Sequence, residues 1–111
     1  MNHRPERVGK LIREQLSGII ARELEFENIL VTITEVEVDK KLETAKTRIS
    51  VWPAEKSKDA LNALNKARNF LQTALFKKLN IRPMPNIWFE LDRGPEHAAG
   101  VEKALLEEDN S

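Results

Sequence analysis

The stretch Asn65–Asn80, "NKARNFLQTALFKKLN", decides how the second half of the chain folds. Its leucines recur at helical spacing, which predicts a helix. An unbroken helix would place the charged Arg68 on the same side as those leucines. Asn69 is a good N-cap residue, and Gln72 follows three positions later in a capping-box pattern. The stretch therefore carries a signal to start a new helix inside an apparent helix.

The predicted break decides where Arg68 points. If one helix ends near Ala67 and the next begins at Phe70, Arg68 lies at the corner and points to solvent. An exposed helix end beside an arginine suits phosphate binding, because its first backbone N–H groups have no partner in the helix. The alternative is a straight helix in which Arg68 snorkels at the edge of the apolar stripe. At a break, Asn69 is an N-cap or a left-handed residue, so alanine there should destabilise the fold.

Three further helices are predicted outside this stretch. The first starts at Pro5–Glu6 and ends near residues 24–27, since proline is well suited to the first turn of a helix. The second is predicted to be capped by Ser57, with Asp59 in its first turn. Beyond residue 95, a weak helix is expected before an acidic end.

Three strands are predicted from alternating, β-branched segments. The first, "ILVTITEVEVD" at residues 29–39, slips in phase near Thr34–Glu35, which predicts a β-bulge. The second is "AKTRISVW" at residues 45–52, and the third is "NIWFELD" at residues 86–92. The order of elements predicts an α+β fold of two layers, with helices on one face of a three-stranded sheet.

Length and composition exclude several classes of protein. The 111 residues suit one domain, and the absence of cysteine excludes disulfides and thiolate zinc sites. The two histidines, His3 and His97, lie near opposite ends, so we expect no metal site. No P-loop or dinucleotide fingerprint is present. No stretch resembles a signal peptide or a membrane span of about 20 apolar residues, so we expect a cytoplasmic protein.

The formal net charge is zero, but the charges are segregated along the chain. Residues 40–82 hold eleven basic and three acidic side chains, a net charge of +8, and residues 1–22 carry +3. Residues 23–39 carry −6 and residues 83–111 carry −5. Such segregation can create a basic face that attracts a polyanion. The alternative is a soluble surface that is merely uneven.

Three segments carry a resemblance to a known family. They are "RPERVGKLIREQLSGIIARELE" at residues 4–25, "VTITEVEVDKKLETAKTRISV" at residues 31–51, and "ALNALNKARNFLQTALFKKLNIRPMPNIWFELD" at residues 60–92. With these segments the chain resembles the ribosome-binding factor A family. The resemblance implies a single KH-like (type II) domain of the order α-β-β-α-kink-α-β. In this family an Ala-x-Gly kink replaces the usual glycine-rich loop, and Ala67, Arg68 and Asn69 match it, with asparagine in place of glycine.

The resemblance also implies a function without catalysis. Such a protein binds the small (30S) ribosomal subunit and its 16S rRNA, and assists late maturation, especially in the cold. It implies no cofactor, and we expect a monomer in which residues 1–92 form the RNA-binding domain and residues 93–111 an acidic tail. The candidate RNA-binding residues are Arg4, Arg7, Lys10, Lys46, Arg48, Lys66, Arg68, Lys77, Lys78 and Arg82.

Other functions stay open from the residues alone. Trp52 and Trp88 share the outward side of their strands and can stack on bases, shield the open sheet face or pack under the tail. Glu90 and Asp92 share a strand face, but no nucleophile or metal ligand accompanies them, so a small hydrolase is a distant alternative. The main alternative is a protein-interaction module that uses the acidic segments and has no affinity for RNA.

Overall fold

The computed structural model describes residues 3–93. Within this range the order of elements is the predicted one. The elements are helix α1 (Arg4–Glu23), strand β1 (Leu30–Val38), strand β2 (Thr44–Trp52), a 3₁₀ turn (Ala54–Lys56), helix α2 (Ser57–Lys66), helix α3 (Arg68–Leu79) and strand β3 (Asn86–Leu91). The helix predicted beyond residue 95 and His97 lie outside the described residues.

The three strands form one sheet in the order β1-β2-β3. β1 and β2 are antiparallel, whereas β2 and β3 are parallel, because two helices connect them. The register of β1 against β2 shifts between Ile33 and Glu35, which confirms the predicted bulge. The bulge lets apolar side chains on both halves of β1 face the same layer although their spacing is out of phase.

The core lies between the helices and one face of the sheet. Fully buried leucines of α2 and α3, together with Ile12 and Leu16 of α1, pack on the inward-facing side chains of the strands. A Cβ atom at Gly9 would lie 2.8 Å from the carbonyl oxygen of Val36, so glycine lets α1 approach β1 closely. The other face of the sheet is left open, and it carries the charged side chains of all three strands.

The predicted cap of the second helix is wrong. α2 begins at Ser57 itself, after the 3₁₀ turn, and Lys56 occupies the N-cap position without a side-chain hydrogen bond. The Ser57 hydroxyl instead donates to the carbonyl oxygen of Ala54 at 2.7 Å. A 3₁₀ turn therefore precedes α2 where a side-chain cap was predicted. The N-cap propensity of a single residue does not indicate such a turn.

Candidate nucleic-acid interface

The long apparent helix is broken at Ala67, as predicted. Ala67 has φ −88° and ψ 2°, so it leaves the α-helical region between the end of α2 at Lys66 and the start of α3 at Arg68. The hydrogen bonds continue on both sides, because the Ala67 N–H donates to Ala63 and its carbonyl accepts from Leu71. The chain therefore changes direction without leaving the backbone groups of this residue unpaired.

The role predicted for Asn69 at this break is wrong. Asn69 lies within the first turn of α3 and is exposed; it makes no capping hydrogen bond and is not among the residues with positive φ. The change of direction needs only a small shift in ψ at Ala67, which alanine tolerates. Consequently neither an N-cap nor a left-handed residue is required at position 69.

Arg68 leaves the leucine stripe, as expected, but it does not point freely to solvent. Its guanidinium carbon lies 4.4 Å from the centroid of the Trp88 ring. Its Nη1 also donates to the carbonyl oxygen of Ile87 at 3.4 Å, at the long end of hydrogen-bond range. The side chain thus reaches from the start of α3 around the edge of β3 onto the open face of the sheet.

Gln72 does not form the predicted capping box and instead binds the free edge of β3. Its Nε2 donates to the carbonyl oxygen of Pro85 at 2.7 Å, and its Oε1 accepts from the N–H of Ile87 at 2.9 Å. An edge strand exposes unpaired backbone groups, and one amide side chain here satisfies a donor and an acceptor. No spacing of residues predicts this contact, which holds α3, and with it Arg68, against β3.

Arg48 lies at the centre of the open sheet face and is enclosed by carboxylates. Its Nη2 lies 2.9 Å from Glu37, its Nη1 2.7 Å from Glu35, and its Nε 2.9 Å from Glu90. The hydrogen bond to Glu37, with those to Glu35 and Glu90, raises the pKa of Arg48 against the opposing effect of burial. All three strands contribute to this group, and each guanidinium nitrogen already has an anionic partner.

A second group of basic residues lies where the start of α1 approaches the segment after α3. The Arg4 Nη2 donates to the carbonyl oxygen of Arg82 at 3.2 Å, and the Arg82 guanidinium lies 5.3 Å from the ring of Phe76. Arg7 follows Arg4 by three residues on α1 and is exposed. We call this the terminal group, and its members are Arg4, Arg7, Lys10, Lys77, Lys78 and Arg82.

The remaining candidates gather at the other end of α3. Lys46 and Trp88 are aligned in the β2–β3 register, and Arg68 covers the ring of Trp88. Lys66 is exposed in the last turn of α2, next to the break. We call Lys46, Lys66 and Arg68 the kink group. α3 separates the two groups by roughly 18 Å, at 1.5 Å of rise per residue.

Residues 3–93 offer little for other kinds of site. Within this range no group of three or more histidine, cysteine, aspartate or glutamate side chains is placed to hold a metal ion. No helix in the same range combines the length and apolarity needed to cross a membrane. Glu90 is bound to Arg48, and Asp92 accepts a hydrogen bond from the hydroxyl of Thr34. Both carboxylates therefore have structural partners.

The fold is that of a KH-like α+β domain, with one group of basic side chains at each end of α3. The family model described as "Ribosome-binding factor A" matches residues 4–105, so the chain belongs to the ribosome-binding factor A family. Ribosome-binding factor A of Dictyoglomus thermophilum is 36% identical over 110 residues, which cover 96% of this chain and 92% of the relative.

Solved structures of the family share the fold. The solution NMR structure of a putative ribosome-binding factor A from Thermotoga maritima is 29% identical, with a TM-score of 0.59 over 83% of this chain and 86% of that one. A homology model of the Thermus thermophilus protein, fitted into a cryo-EM map of its complex with the 30S subunit, is 22% identical. It has a TM-score of 0.63 and covers 86% of this chain and 98% of that one. The predicted fold class is confirmed.

Proposed function

We propose that this protein is a non-catalytic ribosome assembly factor that binds the small ribosomal subunit and assists late maturation of its 16S rRNA. In this proposal the kink group and the terminal group contact RNA phosphates. Family membership supports the class of function, and the Thermus thermophilus relative has been fitted into a map of a 30S complex.

The observation that carries the proposal is the difference in ion pairing among the basic side chains. Within residues 3–93, the lysines of both groups and Arg68 have no carboxylate oxygen within 4.0 Å, whereas Arg48 has three. A cation without a carboxylate partner can contact phosphate and release counterions on binding. We therefore exclude Arg48 from the proposed contacts, and the lysines of both groups together with Arg68 carry the proposal.

Several further expectations belong to the same proposal. Residues 1–92 would form the binding domain, residues 93–111 would be an acidic tail, and the protein would act as a cytoplasmic monomer without a cofactor. A role in the cold would follow from assistance to rRNA folding, since mispaired RNA rearranges more slowly at low temperature. Wild-type protein and protein truncated after Asp92 should then bind subunits alike.

Sedimentation with purified subunits tests the proposal. The protein is centrifuged with immature small subunits, mature small subunits and large subunits, and the bound fraction is measured. We expect co-sedimentation with small subunits, more with the immature than with the mature particles, and none with large subunits. Equal binding to all three particles would contradict the proposal. Binding to ribosomal proteins alone, with none to 16S rRNA, would favour a protein-interaction module.

A further inference from the structure

Trp88 stands out because a large aromatic ring remains exposed beside cations. The residue is 51% exposed although the Arg68 guanidinium already lies over its ring at 4.4 Å. An indole has two faces and Arg68 covers one, so much of the exposed area belongs to the other face and the ring edge. A second flat group can therefore pack on Trp88 without displacing Arg68.

The strand that carries Trp88 and the arginine over its ring are also held in place before any ligand binds. Arg68 is attached to the backbone of Ile87, and Gln72 pairs with two backbone groups on the same edge of β3. The strand that carries Trp88 is thus fixed to α3 on one side and to β2 on the other. A fixed aromatic side chain loses little conformational entropy when a ligand stacks on it.

The charges around the ring favour an anionic ligand. Lys46 is the register partner of Trp88 on β2 and is exposed. Two carboxylates share this face: Glu37 is the register partner of Lys46, and Glu90 follows Trp88 by two residues on β3. Both accept hydrogen bonds from Arg48 at 2.9 Å. The cations beside Trp88 therefore lack carboxylate partners within residues 3–93.

We propose that Trp88, backed by Arg68 and flanked by Lys46, is a stacking platform for one unpaired base of single-stranded RNA, with Lys46 at the adjoining phosphate. The ring supplies the sequence-tolerant π-face that unpaired bases stack on, and the cation supplies the backbone contact. This inference rests on the proposed function, and it adds a contact to a base where that function requires only contacts to phosphates.

The second tryptophan of the chain provides a matched control. Trp52 is more exposed, at 72%, and lies on the same face of the sheet, but its register partner is the exposed Leu30. Within residues 3–93 no cation lies over its ring. Exposure alone would favour Trp52 as a stacking residue, whereas the combination of ring and cations favours Trp88.

Fluorescence titration with a short oligouridylate at low salt tests the proposal. The chain has two tryptophans, so Trp52→Phe leaves Trp88 as the only reporter, and Trp88→Phe leaves Trp52. We expect the oligonucleotide to quench Trp88 and to leave Trp52 unchanged. We also expect Trp88→Leu to weaken binding about tenfold and Trp52→Leu to change it less than about twofold.

An abasic oligonucleotide of the same length separates base stacking from charge and uses the unaltered protein. It should bind the wild type about tenfold more weakly than oligouridylate does. Equal affinity for the two chains, or equal quenching of both tryptophans, would overturn the proposal. Quenching of Trp88 by intact small subunits, but by neither oligouridylate nor protein-free 16S rRNA, would place a protein on the ring and would also overturn the proposal.

The two proposals can fail separately. If small subunits sediment with the protein but base and abasic chains bind alike, the platform is wrong and the assembly function stands. If oligouridylate quenches Trp88 but the protein does not sediment with small subunits, the platform stands and the assembly function is wrong. Circular dichroism of Trp88→Leu, matched to that of the wild type, shows that the loss is not one of folding.

Discussion

Two arginines near the sheet, Arg48 and Arg68, have the same chemistry and opposite surroundings. Arg48 is bound by three carboxylates from β1 and β3 at 2.7–2.9 Å. Arg68 has no carboxylate within 4.0 Å among residues 3–93 and lies instead over Trp88, a neutral ring. The first arginine joins the three strands across the open face, whereas the second keeps its charge available at the edge of the sheet.

The difference shows that a count of basic residues does not locate an anion-binding surface. Both arginines belong to the basic segment of residues 40–82, and both were candidates for RNA contact on sequence alone. Only the partners of each side chain distinguish a structural cation from one that can bind phosphate. Substitutions at the two positions should therefore separate stability from binding.

The largest effect is expected for Arg68→Glu on binding to the small subunit. Reversal of this charge removes one phosphate contact and adds repulsion, so affinity should fall about thirtyfold, or about 2 kcal/mol. The cost in stability should be smaller, because the contact with Trp88 is worth only about 0.5–1 kcal/mol. Binding isotherms and urea denaturation measure the two quantities. An equal loss in both would make Arg68 a structural residue like Arg48.

The converse is expected for Arg48→Met, which keeps an unbranched apolar stem and removes the charge. Three neighbouring carboxylates would lose their shared partner, and the free energy of unfolding should fall by about 1.5 kcal/mol. The expected loss of stability is modest because the glutamates are 44–58% exposed and water screens their charges. Affinity for the small subunit should change less than about threefold.

Arg68→Met is the matched control for this variant. The same substitution at the edge should lower stability by less than about 1 kcal/mol and should lower affinity more than Arg48→Met does. If both methionine variants lose stability and affinity in the same proportion, the distinction between the two arginines is wrong.

Gln72→Ala tests what holds Arg68 at the edge of β3. The change leaves the Ile87 N–H and the Pro85 carbonyl without their side-chain partner, which should lower stability by about 1 kcal/mol. Gln72→Glu retains an acceptor for Ile87, but its second carboxylate oxygen would face and repel the Pro85 carbonyl, so it should lose at least as much stability as the alanine variant. Urea denaturation of the three proteins measures both effects. Unchanged stability of the alanine variant would mean that these hydrogen bonds do not fix α3 to the sheet.

The smallest effect is expected at Asn69, two residues after the break. Because Asn69 is an exposed residue in the first turn of α3, Asn69→Ala should stabilise the fold by up to about 0.5 kcal/mol through helix propensity. Asn69→Gly should lower stability by a few tenths of a kcal/mol. Destabilisation by alanine together with stabilisation by glycine would require a left-handed residue at this position, and hence a different orientation of Arg68.

Much of the fold could be predicted because the spacing of apolar residues along the chain follows which side chains are buried. The buried stripe of α2 and α3, the alternation of β2 and the bulge near Glu35 follow from where apolar side chains fall. The predicted break in the long helix is also confirmed, but the predicted cause of the break is wrong. The capping pattern at Asn69 and Gln72 indicated a new helix, but the backbone turns at Ala67 and Gln72 binds another strand.

The candidate site was harder to predict because it depends on partners that are distant in sequence. Gln72 meets residues 85 and 87, and Arg48 meets Glu90, which follows it by 42 residues. The sequence does not show whether a carboxylate lies beside a given basic side chain in the fold. Sequence therefore indicated which segment is basic, but not which of its cations are neutralised.

The salt dependence of binding tests the central proposal most directly. Affinity of the wild type and of Arg68→Glu for small subunits is measured over a range from low to moderate salt. The wild type should show a linear fall of log K with log salt, with a slope of roughly 0.7–0.9 for each phosphate contact, and Arg68→Glu a slope smaller by about one contact. An affinity that does not change with salt, or equal slopes for both proteins, would contradict binding to RNA phosphates through this edge.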